Sequence, residues 1–167
     1  MEFDSATFRK VLGHYPTGVC AITAMTGEGP VGMVVGTFNS VSLDPPLVGF
    51  YPDRGSTTWP RIATAGLFCV NVLSERQQDV CRAMASKAPD KFNRIAHRLS
   101  GMGSPIIEGA VAWIDCGVHA VHAAGDHFIV LGKVYALGIE RANAPLLFFQ
   151  GGYGMFASAP HEAAAAV

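Results

Sequence analysis

The sequence predicts a mainly β protein, an antiparallel barrel with a few short helices. Segments rich in β-branched and apolar residues outnumber the segments with helical signals. Short glycine-containing turns, at residues 27–30 and 125–126, join strand segments directly to one another. Because strands and helices do not alternate along the chain, an antiparallel barrel fits better than a doubly wound parallel sheet.

The first half of the chain carries three helix signals between the strand segments. Asp4 or Ser5 is a suitable N-cap for the first helix, Pro60 fits only in the first turn of the second helix, and Ser74 with Gln77 forms a capping box for the third. The predicted helices span residues 3–12, 56–65 and 74–86, and the predicted strands span residues 19–26, 31–41, 47–51 and 68–73.

The second half begins with a long polar segment, residues 87–105, which contains proline, glycine and five basic residues. Loops of this length are usually functional or mobile. Three further strands are predicted at residues 109–123, 128–139 and 146–150. We expect one domain at residues 1–157 and a disordered tail at residues 158–167, because the alanine-rich end carries no strand signal.

Composition restricts the possible partners. Half of the 167 residues are apolar and 15% are charged, so we expect a large core and an apolar excess that a homo-oligomer would bury. The net charge of −1, without a basic stripe, argues against nucleic acid as a partner. We expect no membrane span, because the chain lacks an apolar run of about 18 residues. Four scattered cysteines and no export signal predict a cytoplasmic protein with reduced thiols.

The most informative stretch is residues 36–48, a strand-like run that contains several small polar side chains. Thr37, Asn39, Ser40 and Ser42 can each donate and accept hydrogen bonds. The Asp-Pro-Pro sequence at residues 44–46 then ends the strand and turns the chain. Such a strand end can hold a phosphorylated, polyhydroxylated ligand.

Two other segments allow both a structural and a phosphate-binding interpretation. Residues 56–58, Ser-Thr-Thr, either cap the second helix or hold a phosphate at its N-terminus, where Arg54 and Arg61 would add charge-assisted bonds. In the long polar segment, Lys91 either is solvated or reaches a phosphate while Phe92 covers a ring system.

Two apparent motifs carry no function. Residues 27–32 match the G-x-G-x-x-G pattern, but the chain continues as a strand where a dinucleotide site needs a helix. His119 and His122 would point to opposite faces of a strand, so the sequence predicts no metal site there.

His127 and Tyr153 also have two interpretations. His127 begins a strongly apolar strand after a Gly-Asp turn, either as a polar residue at a sheet edge or, oriented by Asp126, as a group aimed at a substrate. Tyr153 lies in a glycine-rich turn that allows close backbone approach, and it is either a core residue or a side chain that stacks on a planar ligand.

The chain resembles the flavin reductase-like family over residues 8–156, nearly its whole length. The resemblance rests on the order of several short motifs: Tyr-Pro-Thr-Gly-Val at 15–19, the serine-rich strand with Leu-Asp-Pro-Pro-Leu at 43–47, Phe-Cys-Val-Asn-Val-Leu at 68–73, Asp-Lys-Phe at 90–92, Gly-Asp-His at 125–127 and Pro-Leu-Leu-Phe-Phe at 145–149. It departs from the commonest pattern at Gly36-Thr37, where many members have Ser-Ser, and at residues 150–152, where many have a basic residue.

The resemblance implies an antiparallel split barrel with Greek-key topology, of the type that binds FMN. It implies a homodimeric enzyme that uses NADH or NADPH to reduce FMN or FAD by hydride transfer to flavin N5, and a partner monooxygenase that receives the reduced flavin. His127 would place the nicotinamide. The implied flavin-binding residues are Thr37, Asn39, Ser40, Val41, Ser42, Ser56, Thr57, Lys91, Phe92 and Tyr153.

Two alternatives to this function stay open at this point. One is a flavin-dependent oxidoreductase that acts on another small molecule with the same fold. The other is a non-catalytic flavin- or haem-binding module, which agrees with the lack of an evident general acid or base. The Gly-Asp-His motif at residues 125–127 weighs against the module.

Overall fold

The computed structural model describes residues 3–88, 91–140 and 143–158. Strands account for 49% of the chain and helices for 18%, which confirms the prediction of a mainly β fold with a few helices. The helices are α1 (Ser5–Leu12), α2 (Trp59–Ala65) and α3 (Gln78–Ala85), with a 3₁₀ helix at Lys91–Arg94. The strands are β1 (Thr17–Gly18), β2 (Cys20–Thr26), β3 (Gly29–Val35), β4 (Asn39–Leu43), β5 (Pro46–Phe50), β6 (Leu67–Val72), β7 (His97–Leu99), β8 (Pro105–Ile107), β9 (Ala112–Ala124), β10 (His127–Ile139), β11 (Leu146–Phe149) and β12 (Gly152–Met155).

Seven strands form one antiparallel sheet in the order β3-β2-β6-β9-β10-β5-β4. Its edge strands β3 and β4 are consecutive in the chain and are joined by residues 36–38 alone. Since an extended chain advances at most about 3.6 Å per residue, Val35 and Asn39 lie within about 14 Å of each other. The sheet is therefore strongly curled, although β3 and β4 do not pair within the described residues, so that it is not closed into a barrel.

The predicted strand at residues 31–41 is two strands in the structure. Gly36-Thr37-Phe38 separates β3 from β4, and this break moves the chain from one edge of the sheet to the other. A Cβ at Gly36 would lie 2.9 Å from the Thr17 hydroxyl oxygen. The absence of a side chain there allows the crossing segment to pass close to β1.

Hydrogen bonds at helix ends agree with two of the predicted caps. Asp4 Oδ1 accepts a hydrogen bond from the Thr7 amide at 2.7 Å, so α1 begins one residue after its N-cap. The Ser74 amide donates to Gln77 Oε1 at 3.0 Å, which is one of the two hydrogen bonds of a capping box. The helix that follows begins at Gln78.

Four strands were not predicted. β7 and β8 pair with each other within and after the long polar segment, and β1 pairs with β11, which pairs with β12. The turn between β11 and β12 places Gln150 at φ 49° and Gly151 at φ 81°, in the left-handed region that two-residue hairpin turns require. The predicted tail lies outside the described residues from residue 159 onward.

Two apolar clusters hold the elements that carry the candidate site. In the first, Phe50 packs edge-to-face against Trp59 and Phe68, with ring centroids 5.6 and 5.5 Å away, and this fixes the start of α2. In the second, Met84 of α3 packs with Leu73 and other buried side chains. Each such buried side chain contributes roughly 1.5–3 kcal/mol, so α2 and α3 are firmly attached to the sheet.

No helix in the described part of the chain combines the length and apolar character needed to cross a membrane.

Candidate functional site

β4 carries most of the predicted ligand-binding side chains, at an edge of the main sheet. Asn39, Ser40 and Val41 are exposed and Ser42 is half-buried. The register against β5 shifts between Ser40 and Ser42, so that the strand bulges at Val41 and its side chains are redirected. The polar side chains and the unpaired backbone groups of this edge can both bind a ligand.

Ser56 lies two residues before Thr58, the N-cap residue of helix α2, and stabilises the start of the helix. Its Oγ accepts hydrogen bonds from the Thr58 amide at 3.3 Å and from the Trp59 amide at 3.1 Å. This is the structural interpretation of the segment at residues 56–58. Thr57 and Thr58 also line a cavity, so the phosphate-binding interpretation remains open for these two residues.

That cavity has a volume of about 270 Å³ and lies between β3, residues 57–61 and the start of the 3₁₀ helix. It brings together four residues named from the sequence, Thr57, Arg61, Lys91 and Phe92, and adds the basic side chain of Lys87. We call it the cationic cavity. None of the lining residues that the structure describes is acidic, and three cations around one small space favour an anion such as phosphate.

The Lys91 ammonium forms hydrogen bonds that stabilise the fold. Its Nζ donates to the carbonyl oxygens of Met84 at 2.9 Å and Gly32 at 3.2 Å, which joins the 3₁₀ helix to α3 and β3. A lysine has three N–H donors, so one remains for a ligand. Burial lowers the pKa of this ammonium.

His127 forms a pair with the residue before it. Its Nδ1 lies 2.7 Å from Asp126 Oδ1, and 43% of the His127 side chain is exposed. This hydrogen bond lowers the pKa of Asp126. With Nδ1–H donated to the carboxylate, the imidazole presents Nε2 to the surroundings as an acceptor.

Arg54 supports the turn that carries this pair. Its Nη1 donates to the Gly125 carbonyl at 3.3 Å, and its guanidinium lies 5.6 Å from the centre of the Phe128 ring. The expectation that Arg54 adds charge beside residues 56–58 therefore does not match its position. Among the residues that the structure describes, Arg61 and the two lysines line the cationic cavity and Arg54 does not.

Tyr153 lies on β12 beside the crossing segment. Its hydroxyl oxygen lies 3.3 Å from the Cys81 sulfur, within hydrogen-bonding distance. The interaction with Cys81 and, to a smaller extent, burial raise the pKa of Tyr153. Tyr153 and Gly36 line a second small cavity, of about 180 Å³. The Tyr153 ring packs edge-to-face on Phe148, which holds the side chain in place. The residue is 38% exposed.

The chain that follows β5 connects the start of β4 with the His127 turn. The Tyr51 amide donates to Thr37 Oγ1 at 3.0 Å, and the backbone of Asp53 pairs with that of His127 in an isolated antiparallel β-bridge. Residues in an extended chain are about 3.3 Å apart, so Thr37 and His127 flank a stretch about 7 Å long. The same stretch leads on to Ser56 and to Thr57, which lines the cationic cavity. One short segment of the chain therefore connects the start of β4, the His127 turn and the cavity.

Comparison with known proteins identifies the family. The model of the flavin reductase like domain matches residues 12–157. The chain belongs to the flavin reductase-like family. A flavin reductase of Pseudomonas putida is 60% identical over 156 residues, which cover 93% of this chain and 92% of that protein.

Two further relatives extend the comparison. The reductase subunit HsaB of a flavin-dependent monooxygenase from Mycobacterium tuberculosis is 49% identical over 154 residues, covering 91% of this chain and 82% of that protein. Among solved structures, nitrilotriacetate monooxygenase component B from Mycobacterium thermoresistibile matches with a TM-score of 0.89 and 49% identity, covering 92% of this chain and 87% of that one.

Two features of this flavin reductase-like chain were not predicted from its sequence. Lys87 joins the cationic cavity, and its spacing of four residues from Lys91 was the only signal for it. The hydrogen bond between Cys81 and Tyr153 joins residues 72 positions apart, which no local pattern indicates.

His119 and His122 are both exposed on β9, and the described residues contain no cluster of three or more side chains suited to a metal ion.

Proposed function

We propose that this member of the flavin reductase-like family catalyses the reduction of FMN or FAD by NADH or NADPH and supplies reduced flavin to a partner monooxygenase. The observation that carries the proposal is the cationic cavity, which joins Arg61, Lys87 and Lys91. The exposed polar side chains of β4 supply the second part of the proposed site. A flavin nucleotide combines an anionic phosphate, a hydroxylated chain and a planar ring, and the site offers suitable groups to each.

The residues present fit a flavin in the following way. The phosphate would lie in the cationic cavity near Thr57, with Lys91 donating its remaining N–H and Phe92 covering the phosphate end. The hydroxylated chain and ring would lie along Thr37–Ser42, with Tyr153 at the border. Bound flavin supplies the hydride acceptor, and the protein supplies position and electrostatic environment.

His127 would orient the nicotinamide. Its Nδ1 is held by Asp126, so Nε2 is free to accept a hydrogen bond from the carboxamide N–H of the substrate. Because the ring is partly exposed, a dinucleotide can reach it from solvent. No side chain needs to act as nucleophile, since positioning two reactants is itself a large part of catalysis.

A supplier of reduced flavin must release its product. We therefore expect flavin to bind with a dissociation constant of about 1 µM, near −8 kcal/mol, instead of as a permanent cofactor. The similarity to a protein described as a monooxygenase reductase subunit supports a partner oxygenase. Four free cysteines, all buried, agree with a cytoplasmic location, where thiols stay reduced.

The test is NADH or NADPH oxidation by the purified protein, followed by absorbance with and without added FMN or FAD. We expect turnover that requires added flavin and saturates with it. Binding of flavin without any turnover would contradict the proposal and favour a non-catalytic module.

A substitution tests the role of His127. His127→Asn removes the imidazole and should lower kcat/KM for the nicotinamide substrate at least about tenfold, about 1.4 kcal/mol in transition-state free energy. His122→Asn is the matched control, because His122 is an exposed histidine on the neighbouring strand. Equal activity of both variants would show that His127 has no role in the reaction.

A further inference from the structure

The turn that carries His127 is held by one residue of a distant segment. Gly125 and Asp126 are the two turn residues between β9 and β10, and Gly125 has φ 63°, as such hairpin turns require. The backbone amide of Arg54 donates to the Asp126 carbonyl at 2.9 Å. Its guanidinium Nη1 donates to the Gly125 carbonyl at 3.3 Å. Arg54 therefore binds the carbonyl oxygens of both turn residues.

The backbone around Arg54 is fixed by a turn of its own. The Asp53 carbonyl accepts a hydrogen bond from the Ser56 amide at 3.0 Å, and Asp53 Oδ1 accepts one from the Gly55 amide at 2.5 Å. Arg54 is the second residue of this four-residue turn. The backbone of Asp53 also pairs with that of His127, so Arg54 has a defined position beside the His127 turn.

The Arg54 side chain and the Asp126 carboxylate have different partners. The guanidinium donates to the Gly125 carbonyl and lies 5.6 Å from the centre of the Phe128 ring, a distance at which a cation and an aromatic face attract each other. The Asp126 carboxylate lies 2.7 Å from His127 Nδ1. Arg54 thus holds the backbone of the turn, while the carboxylate stays available to the imidazole.

We propose that Arg54 is a positioning residue for the nicotinamide substrate, because it fixes the turn and, through Asp126, the orientation of the His127 imidazole. This inference rests on the proposed role of His127. The hydrogen bond at one ring nitrogen of a histidine decides which nitrogen carries the proton. Without Arg54, the Asp126 carboxylate moves with the turn, and Nε2 no longer faces the substrate as a fixed acceptor. Small displacements of positioning groups lower the rate strongly.

Steady-state kinetics of Arg54→Gln test the proposal, since glutamine is shorter and uncharged. We expect kcat/KM for the nicotinamide substrate to fall at least about fivefold, while the dissociation constant for FMN stays within about twofold of the wild-type value. Arg54→Lys keeps a cationic donor and should retain at least about half of kcat/KM. Arg76→Gln is the matched control, at an 83% exposed side chain. Equal losses of FMN affinity and kcat/KM in Arg54→Gln would overturn the inference.

A double-mutant cycle separates positioning from direct contact with the substrate. If Arg54 acts through His127, adding Arg54→Gln to the His127→Asn variant should lower kcat/KM no further. An equal loss in both backgrounds would show that the guanidinium acts by another route, such as a bond to the phosphates of the dinucleotide. That result would overturn the inference.

Nitrogen-15 NMR of the histidine rings tests the positioning without turnover. The signals of His127 are identified by their absence in His127→Asn. The neutral ring should be protonated at Nδ1 in the wild-type protein, and Arg54→Gln should shift it toward a mixture with the Nε2-protonated tautomer. An unchanged tautomer in Arg54→Gln would overturn the inference. Wild-type activity of His127→Asn would instead contradict the proposed role of His127, so the two failures are distinguishable. Circular dichroism confirms that each variant is folded.

Discussion

The Lys91 ammonium combines a structural role with a proposed binding role. It donates to two carbonyl oxygens, of Gly32 and Met84, and lies at the wall of the cationic cavity. Loss of a hydrogen bond to a charged group costs about 1.5–3 kcal/mol. We therefore expect Lys91→Gln to raise the dissociation constant for FMN about 10- to 100-fold.

Riboflavin separates the two roles, because it lacks the phosphate. The Lys91→Gln variant should bind riboflavin with nearly the same affinity as the wild-type protein. Its free energy of unfolding should fall, because the substitution weakens two hydrogen bonds to backbone carbonyl oxygens. Lys133→Gln, an exposed lysine on β10, should change neither. An equal loss of affinity for FMN and riboflavin would show that Lys91 acts only by holding the local structure.

The Lys91 ammonium should make both FMN binding and the free energy of unfolding depend on pH. Burial lowers the pKa of the Lys91 ammonium below its ordinary value of 10.5. FMN affinity should therefore fall relative to riboflavin affinity as pH rises through the window just below 10.5. In that window the unfolded chain binds more protons than the folded chain, so the contribution of Lys91 to the unfolding free energy rises with pH. Fluorescence titrations over this range measure the first effect, and Lys91→Gln should abolish it.

At the scale of elements, local signals predicted most of the fold. The long hairpin β9–β10 was predicted because its turn, Gly125-Asp126, lies between two clear strand segments. β1 and β12 were missed because β1 has two residues and β12 is rich in glycine. Their order comes from long-range pairing, such as Thr17 with Phe148, and a sequence pattern carries no information on such pairs.

The sequence also predicted the candidate site only in part, because local patterns do not reveal contacts between distant residues. Motifs with a local chemical signal, such as the polar run on β4 and the Gly-Asp-His turn, could be named from the sequence. The direction of a long side chain could not, since Arg54 contacts the Gly125 carbonyl and Phe128 instead of residues 56–58. The cationic cavity exists only because α2, β3 and the 3₁₀ helix pack together.

Close packing across the main sheet gives a prediction for β10. A Cβ at Gly132 would lie 2.5 Å from Phe68 Cζ and 3.4 Å from Cys116 Cβ. Phe68 is buried and packs on Phe50, so the ring cannot move away freely. We expect Gly132→Ala to lower the free energy of unfolding by about 1–3 kcal/mol, as measured by urea denaturation.

Gly154→Ala on β12 is the control for this substitution. A Cβ there would have no neighbour within 4 Å among the described atoms, so the free energy of unfolding should change by less than about 0.5 kcal/mol. Equal free energies of unfolding for the two variants would show that the Phe68 ring can move to accommodate a methyl group at residue 132 without loss of stability.

At the scale of the whole molecule, several large apolar side chains are exposed on α1, β10 and the β4–β5 hairpin. α1 contributes no buried residue, and β10 exposes Tyr135, Leu137 and Ile139 at alternate positions. Leu43, at the tip of the β4–β5 hairpin, is 94% exposed. Large exposed apolar patches mark interaction surfaces. The homodimer that the family resemblance implies would cover such a patch with a second copy of the chain.

We predict that size-exclusion chromatography with light scattering gives twice the chain mass of 17.6 kDa. Leu137→Lys places a charge on the exposed apolar row of β10, and burying an unpaired ammonium in an interface is costly, so this variant should shift the mass toward the monomer. Glu108→Gln makes the same change in net charge at an exposed residue outside that row and should leave the mass unchanged. A wild-type protein of monomer mass would contradict the dimer, and a dimeric Leu137→Lys variant would place the interface on another apolar surface, such as that of α1.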